Sequence, residues 1–211
     1  MRKKSRIKGI LNQEIWKREG KYSAPLPGAK ILRGLEAGPL LDIGCGYGRL
    51  LEHLRNLGFS NLFGIDFVEK PLRKIDFAMV AVGRAEALPF RDEAFAGAFL
   101  VGILSSILED EGRLRVFQEA FRVLKRGGRL FLSAFAVNKH YAEKYRKGLE
   151  EFGIYGVFRS SHGGVFRHTT EEELRDLFVR AGFKILRMKR MPFTTMHGNR
   201  AEGFVALGEK P

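Results

Sequence analysis

The segment LLDIGCGYGRL, residues 40–50, constrains the fold more than any other part of the chain. An apolar run ends in an acid, and glycines follow at positions 44, 46 and 48. Glycine loses more conformational freedom on folding than any other residue, so three within five positions are costly unless the backbone must bend where side chains would clash. We read a strand, a tight turn and a helix beginning near Gly48. A helix starting there directs backbone N–H groups at the turn, where a ligand can rest against bare main chain.

The rest of the chain repeats that strand-to-helix rhythm. Short apolar strands are expected at PLLDIG, NLFGID (61–66), AMVAV (78–82), AGAFLV (96–101) and RLFLSAFA (129–136), with helices over 48–57, 69–77 and 111–124. Continuously apolar strands separated by amphipathic helices indicate a parallel sheet buried on both faces. Thr170 and Glu173 have the spacing of a capping box, opening a helix to Ala181 that Gly182 stops. Two last strands, FKILRMKR and EGFVALG, end the pattern, and 137–168 is its least regular stretch. A first helix is expected over 7–20, followed by the turn-rich YSAPLPG of 22–28. The expected organisation is a single domain over 1–211, with 1–38 a helix and connector over the site and 137–168 an insertion forming part of a substrate lid.

Composition narrows the function. The single cysteine, Cys45, allows no internal disulfide, no Cys/His cluster suggests a metal, and MRKKSRIK lacks the apolar stretch of a secretory signal. A cytoplasmic protein is expected. The longest uncharged run, AFAGAFLVGILSSIL at 94–108, is shorter than the roughly 20 residues that span a bilayer. The net charge of +13 is uneven: residues 1–21 hold eight Lys or Arg against Glu14 and Glu19. Such an arm attracts anions, RNA among them. High charge with only Gln13 and Gln118 as glutamines also suits a thermophile.

The glycine spacing departs from the dinucleotide fingerprint, which would need a third glycine where this chain has Arg49. Asp-x-Gly-x-Gly-x-Gly instead resembles the first motif of class I methyltransferases dependent on S-adenosyl-L-methionine (SAM). GIDFVEK, VGRAEALPFRDEAF (82–95) and RVLKRGGRLFLS (122–133) follow in the order of that family, and HTTEEELRDLFVRAGF (168–183) is similar to the last helix of its type 11 subgroup. The resemblance implies an α/β Rossmann-like methyltransferase fold: a mostly parallel seven-stranded sheet with an antiparallel last strand and helices on both faces. It implies SAM as cofactor and S-adenosyl-L-homocysteine as product. Carried over by position, Asp42 would meet the methionyl ammonium, Gly44, Cys45 and Gly46 would border the methionyl tail, and Gly48 would belong to the same cofactor-binding turn. Asp66 would take the ribose hydroxyls, Phe67 one adenine face, and Ala85 and Glu86 the adenine edge, with Val101 also bordering the cofactor. The family commonly has Asp where this chain has Arg84.

SAM carries an activated methyl, so positioning an acceptor suffices where no proton must leave, and no dedicated catalytic residue is expected. LVGILSS after the fourth strand lacks the Asn/Asp-Pro-Pro-aromatic motif for exocyclic nitrogens, and the one cysteine is committed to the turn. The polar candidates for the acceptor are Tyr22, Ser105, Ser106, His140, Tyr141, His162 and His168, while His197 reads as structural. Three functions stay open: methyl transfer to an O, N or S atom of a small molecule, tRNA or rRNA methylation using the basic arm, and non-catalytic SAM binding with a regulatory role. No membrane partner is expected, and the sequence leaves the oligomeric state unknown.

Overall fold

A computed structural model describes residues 24–35, 38–161, 163–194 and 200–211. The basic arm, the helix expected over 7–20, Tyr22, His162 and His197 lie outside the described residues. After a short helix α1 (Ala29–Leu32), the chain forms β1 (Leu40–Ile43), α2 (Arg49–Asn56), β2 (Leu62–Asp66), α3 (Glu69–Leu72), β3 (Met79–Val82) and β4 (Phe95–Val101). A 3-10 turn (Ile103–Ser106), α4 (Asp110–Val123), β5 (Leu124–Phe135), α5 (Ala142–Phe152), β6 (Val157–Arg159) and β7 (Val165–Arg167) come next. α6 (Glu171–Arg180), β8 (Lys184–Thr194) and β9 (Arg200–Glu209) complete it.

Seven strands make one sheet in the order β3-β2-β1-β4-β5-β9-β8. β1 to β5 are mutually parallel, and β9 runs antiparallel to both neighbours. Along the central strands, successive side chains serve opposite faces, as the two-residue period of a strand requires. Leu41, Ile43, Ala98, Leu100, Leu130 and Leu132 pack with Val116 and Phe117 of α4 and Leu174 and Phe178 of α6. Leu40, Phe99 and Phe131 face the other way, onto Leu32 of α1 and Leu50, Leu51 and Leu54 of α2. The result is three layers, with the central strands buried between helices and the edge strand β3 leaving Met79 and Val82 exposed.

Two elements differ from the sequence reading. The helix expected over 69–77 stops at Leu72, because the following chain turns to place Ile75 and Phe77 against α2. A Cβ on Gly48 would sit 2.9 Å from Ile75 Cδ1, and the Arg55 guanidinium stacks 4.2 Å above the Phe77 ring. The stretch 137–168 is regular: α5 packs on the β6–β7 hairpin, which forms its own two-stranded antiparallel sheet. Its order comes from tertiary contacts. Leu108, Phe152, Val157 and Val165 form a separate small core, and the rings of Tyr141, Tyr145, Phe158 and His168 stack and edge together at 4.7–5.9 Å.

Candidate functional site

The strand order reverses between β1 and β4, and in open parallel sheets ligands bind at that point, beyond the carboxyl ends of the strands. The chain leaves β1 through the glycine turn, where Gly44, Gly46 and Gly48 have φ of 80°, 50° and 78°. All three lie in the left-handed region that glycine enters without steric cost. The amides of Gly44 and Cys45 donate to the Ile65 carbonyl at 2.8 and 3.0 Å, tying the turn to the end of β2. A Cβ at Gly44 would strike Ile103 Cδ1 at 2.6 Å, whereas one at Gly46 would meet nothing within 4 Å. The turn is thus closed against the protein at Gly44 and open on the side of Gly46.

Asp66 ends β2. Its Oδ2 accepts from Gly46 N–H and its Oδ1 from Val68 N–H, each at 2.9 Å, so the carboxylate is fixed while further lone pairs remain to receive a ligand's hydroxyl hydrogens. Burial raises its pKa, opposed by the backbone N–H groups of Val68, Gly46 and Phe67. Asp42, 3% exposed, is more strongly affected: burial, then the neighbouring Asp66, push its pKa up to about 8 against the pull of Arg49. Arg49, the first residue of α2, donates from Nη2 to the Ala24 carbonyl at 2.7 Å, and His53 Nε2 lies 2.9 Å from the Pro27 carbonyl. The connector at 24–27 is thereby fastened along α2. Cys45 is buried and its thiol is pushed up by burial and by Asp42 and Asp66, which removes it as a nucleophile.

A cavity opens beside Asp66, lined by residues at the ends of β1 to β4. Gly44, Asp66, Phe67, Ala85 and Glu86 all border it, as do Arg84 and Ser106. Gly83, Ile103 and Ile107 border it too, and sequence reasoning had not assigned them. The available signal was position, since 103–107 directly follows β4. Asp42, Cys45, Gly46, Gly48 and Val101 do not line this cavity. Arg84, at the position where the family commonly has Asp, donates from Nη2 to Glu86 Oε1 at 2.9 Å. Among the described residues no group of three or more His, Cys, Asp or Glu side chains is arranged to hold a metal ion.

The acceptor candidates divide. Ser106 faces the cavity, whereas the buried Ser105 turns its Oγ to the Gly102 carbonyl at 2.9 Å. His140 is exposed at the start of the insertion, where its backbone N–H caps Asn138 Oδ1 at 3.1 Å. Tyr141 is half-buried and part of the aromatic cluster. His168 is 6% exposed, shares a 2.6 Å hydrogen bond with the Tyr145 hydroxyl, and is held neutral by burial, with a pKa pushed down to about 3. It serves as packing within the insertion, because a ring so enclosed has no free face for an acceptor.

The residues present fit SAM. A vicinal diol matches the two fixed oxygens of Asp66, and an ammonium would relieve the buried Asp42. The methyltransferase domain profile matches residues 41–132, which runs from β1 to β5. A SAM-dependent methyltransferase from Methanosarcina mazei is 30% identical, covers 88% of this chain and 99% of its own, and superposes with a TM-score of 0.81. A ubiquinone/menaquinone biosynthesis C-methyltransferase from Shewanella frigidimarina is 27% identical over 92% of this chain and 78% of its own length. A tRNA (carboxymethyluridine(34)-5-O)-methyltransferase from Xenopus tropicalis is 25% identical over 64% of this chain but only 20% of its own length. The chain spans between 20% and 55% of the first three curated relatives it matches. With the profile over 41–132 and a structural match that covers 88% of this chain agreeing, the chain belongs to the class I SAM-dependent methyltransferases.

Proposed function

We propose that this chain moves a methyl group from SAM to a small-molecule acceptor. The observation that carries the reading is the Asp66 carboxylate, locked by Gly46 and Val68 N–H where it borders the cavity at the strand ends. When bound, SAM supplies a methyl already activated on a sulfonium. The residues of the chain then have holding, orienting and shielding to do. Asp66 receives the ribose hydroxyls, and Asp42 the ammonium, while Arg49 balances the local charge. Phe67, Ile103 and Ile107 offer apolar surface to the adenine ring, with Ala85 and the Arg84–Glu86 ion pair at its edge.

Neither Cys45, whose thiol burial holds protonated, nor His168, whose pKa of about 3 makes it too weak a base, is suited to take a proton from an acceptor. Ser106, Tyr141 and His140 are the groups we assign to the acceptor side. The acceptor atom is set there, beyond the cofactor floor. Relatives that match this chain are named as C-methyltransferases as well as a tRNA O-methyltransferase, which is consistent with one cofactor floor serving several acceptors.

The second reading is an RNA acceptor. It is favoured by the eight cations within residues 1–21 and by curated relatives named as tRNA methyltransferases. Calorimetric titration with S-adenosylhomocysteine tests the shared part. Binding is expected, and Asp66→Ala should weaken it at least tenfold, since a bidentate charged contact is lost. Unchanged affinity in that variant would remove Asp66 from the ribose role. Incubation with methyl-labelled SAM and a fractionated cell extract separates the acceptors: label in the small-molecule fraction supports the proposal, and label confined to RNA overturns it.

A further inference from the structure

Arg113 is the largest fully buried side chain among the described residues, and it lies in the first turn of α4, where a solvated charge would be expected. Burying a guanidinium is expensive unless its donors are matched. Here they are matched to three different parts of the molecule. Nε donates to the Ile107 carbonyl at 2.8 Å and Nη2 to the Leu104 carbonyl at 3.0 Å. Both carbonyls belong to the 103–107 turn, whose Ile103, Ser106 and Ile107 wall the cavity. Nη2 also donates to the Arg167 carbonyl at 3.1 Å, in strand β7 of the insertion. Nη1 donates to Glu173 Oε1 at 2.7 Å, in the first turn of α6.

The insertion is held a second time. The Arg167 guanidinium donates to the Leu108 carbonyl at 2.7 Å and to the same Glu173 Oε1 at 2.7 Å, and it pairs with Asp110 at 2.7 Å. Glu173 Oε2 accepts from Thr169 Oγ1 at 3.0 Å. The carboxylate is therefore taken up by the two arginines and a threonine, while only Thr170 Oγ1 completes its half of the capping box, accepting from Glu173 N–H. An apolar side chain would fill the same space but could not grip three carbonyls on two separate elements. The planar fork of arginine can, and a lysine point charge cannot reproduce that geometry.

We propose that Arg113 is a positioning residue that clamps the cavity wall at 103–107 to the β6–β7 hairpin, so that a ligand settling against the wall also orders the insertion over the acceptor side. The inference rests on the reading of the cavity as the cofactor site. Coupling here needs a physical link between two elements, and the shared guanidinium supplies one.

Amide hydrogen exchange of the full chain with and without S-adenosylhomocysteine tests it. In the wild-type chain the ligand should slow exchange at 103–108 and also, by roughly tenfold, at 157–167, although no residue of that hairpin lines the cavity. Protection confined to cavity-lining residues overturns the proposal without any variant. Arg113→Lys should keep ligand protection at 103–108 and lose it at 157–167. Glu173→Gln, which leaves the three carbonyl contacts in place, should lower thermal stability yet keep the hairpin's response. Equal loss in both variants would reduce Arg113 to a structural support and overturn the clamp. If the wild-type chain shows no calorimetric binding of S-adenosylhomocysteine, it is the cofactor reading that fails, a result distinct from these.

Discussion

Asp42 shows how a single buried carboxyl can link the site to the stability of the chain. Its folded pKa of about 8 stands above the ordinary 3.8, chiefly because burial penalises the charged form. A group raised in this way contributes stability fully below its unfolded pKa, and that contribution is lost as pH climbs through the folded value. The ligand-free protein should therefore lose stability between about pH 4 and pH 8 on account of Asp42, by a few kcal/mol. Asp42→Asn keeps the shape without the ionisation, so urea unfolding should find it less stable than or equal to wild type at pH 5 and more stable at pH 8.5. A wild-type minus variant difference that is flat across that range would show that Asp42 titrates normally. The sequence disclosed Asp42 and Asp66 because their meaning depends on local order: an acid before a glycine turn, and an acid at the end of the next strand. It could not disclose Arg113, whose helix-surface context reads as solvated until the insertion and α6 are folded over it.

At the scale of elements, the insertion stands or falls on one close approach. Gly148 lies in the middle of α5, where alanine would be favoured by about 1 kcal/mol on helix propensity alone. A Cβ there would sit 1.8 Å from the Val157 carbonyl oxygen, a backbone atom that cannot swing aside. Sterics win over propensity. In Gly148→Ala, α5 should separate from β6, exchange over 142–167 should quicken at least tenfold, and the seven-stranded sheet should keep its protection. Unchanged exchange in the insertion would mean that the contact relaxes at little cost. This also explains which elements were legible. β1, β2, β4 and β5 announce themselves because burial on both faces favours near-continuous apolar runs, broken at the strand ends by Asp42 and Asp66. The helix at 69–77 and the disorderly look of 137–168 misled because both are decided by distant partners: Ile75 and Phe77 turning onto α2, and rings from 135 to 168 assembling across more than thirty positions.

For the molecule as a whole, the open question is what its charge is for. The excess of Lys and Arg gives +13, and five of the cations, Arg2, Lys3, Lys4, Arg6 and Lys8, lie in the first eight residues. The folded site argues in a different direction. The proposed small-molecule acceptor needs no such arm: the residues that border the cavity, Ile65, Phe67, Ile103 and Ile107 among them, belong to the folded body of the chain. Two demands on one chain can be separated because they obey different physics. Phosphate contacts release counterions, so their strength falls steeply with salt, whereas a small neutral acceptor buried against apolar walls is nearly indifferent to it. Removal of residues 1–8 should flatten the salt dependence of RNA binding, by roughly 3 to 4 in the logarithmic slope if all five cations touch a single strand. The small-molecule proposal requires that the same truncation leave methyl transfer to the small-molecule fraction unchanged at any salt concentration. Transfer that declines in step with RNA affinity, in the truncated chain or in rising salt, would make the basic arm part of substrate recognition and put RNA in the acceptor's place.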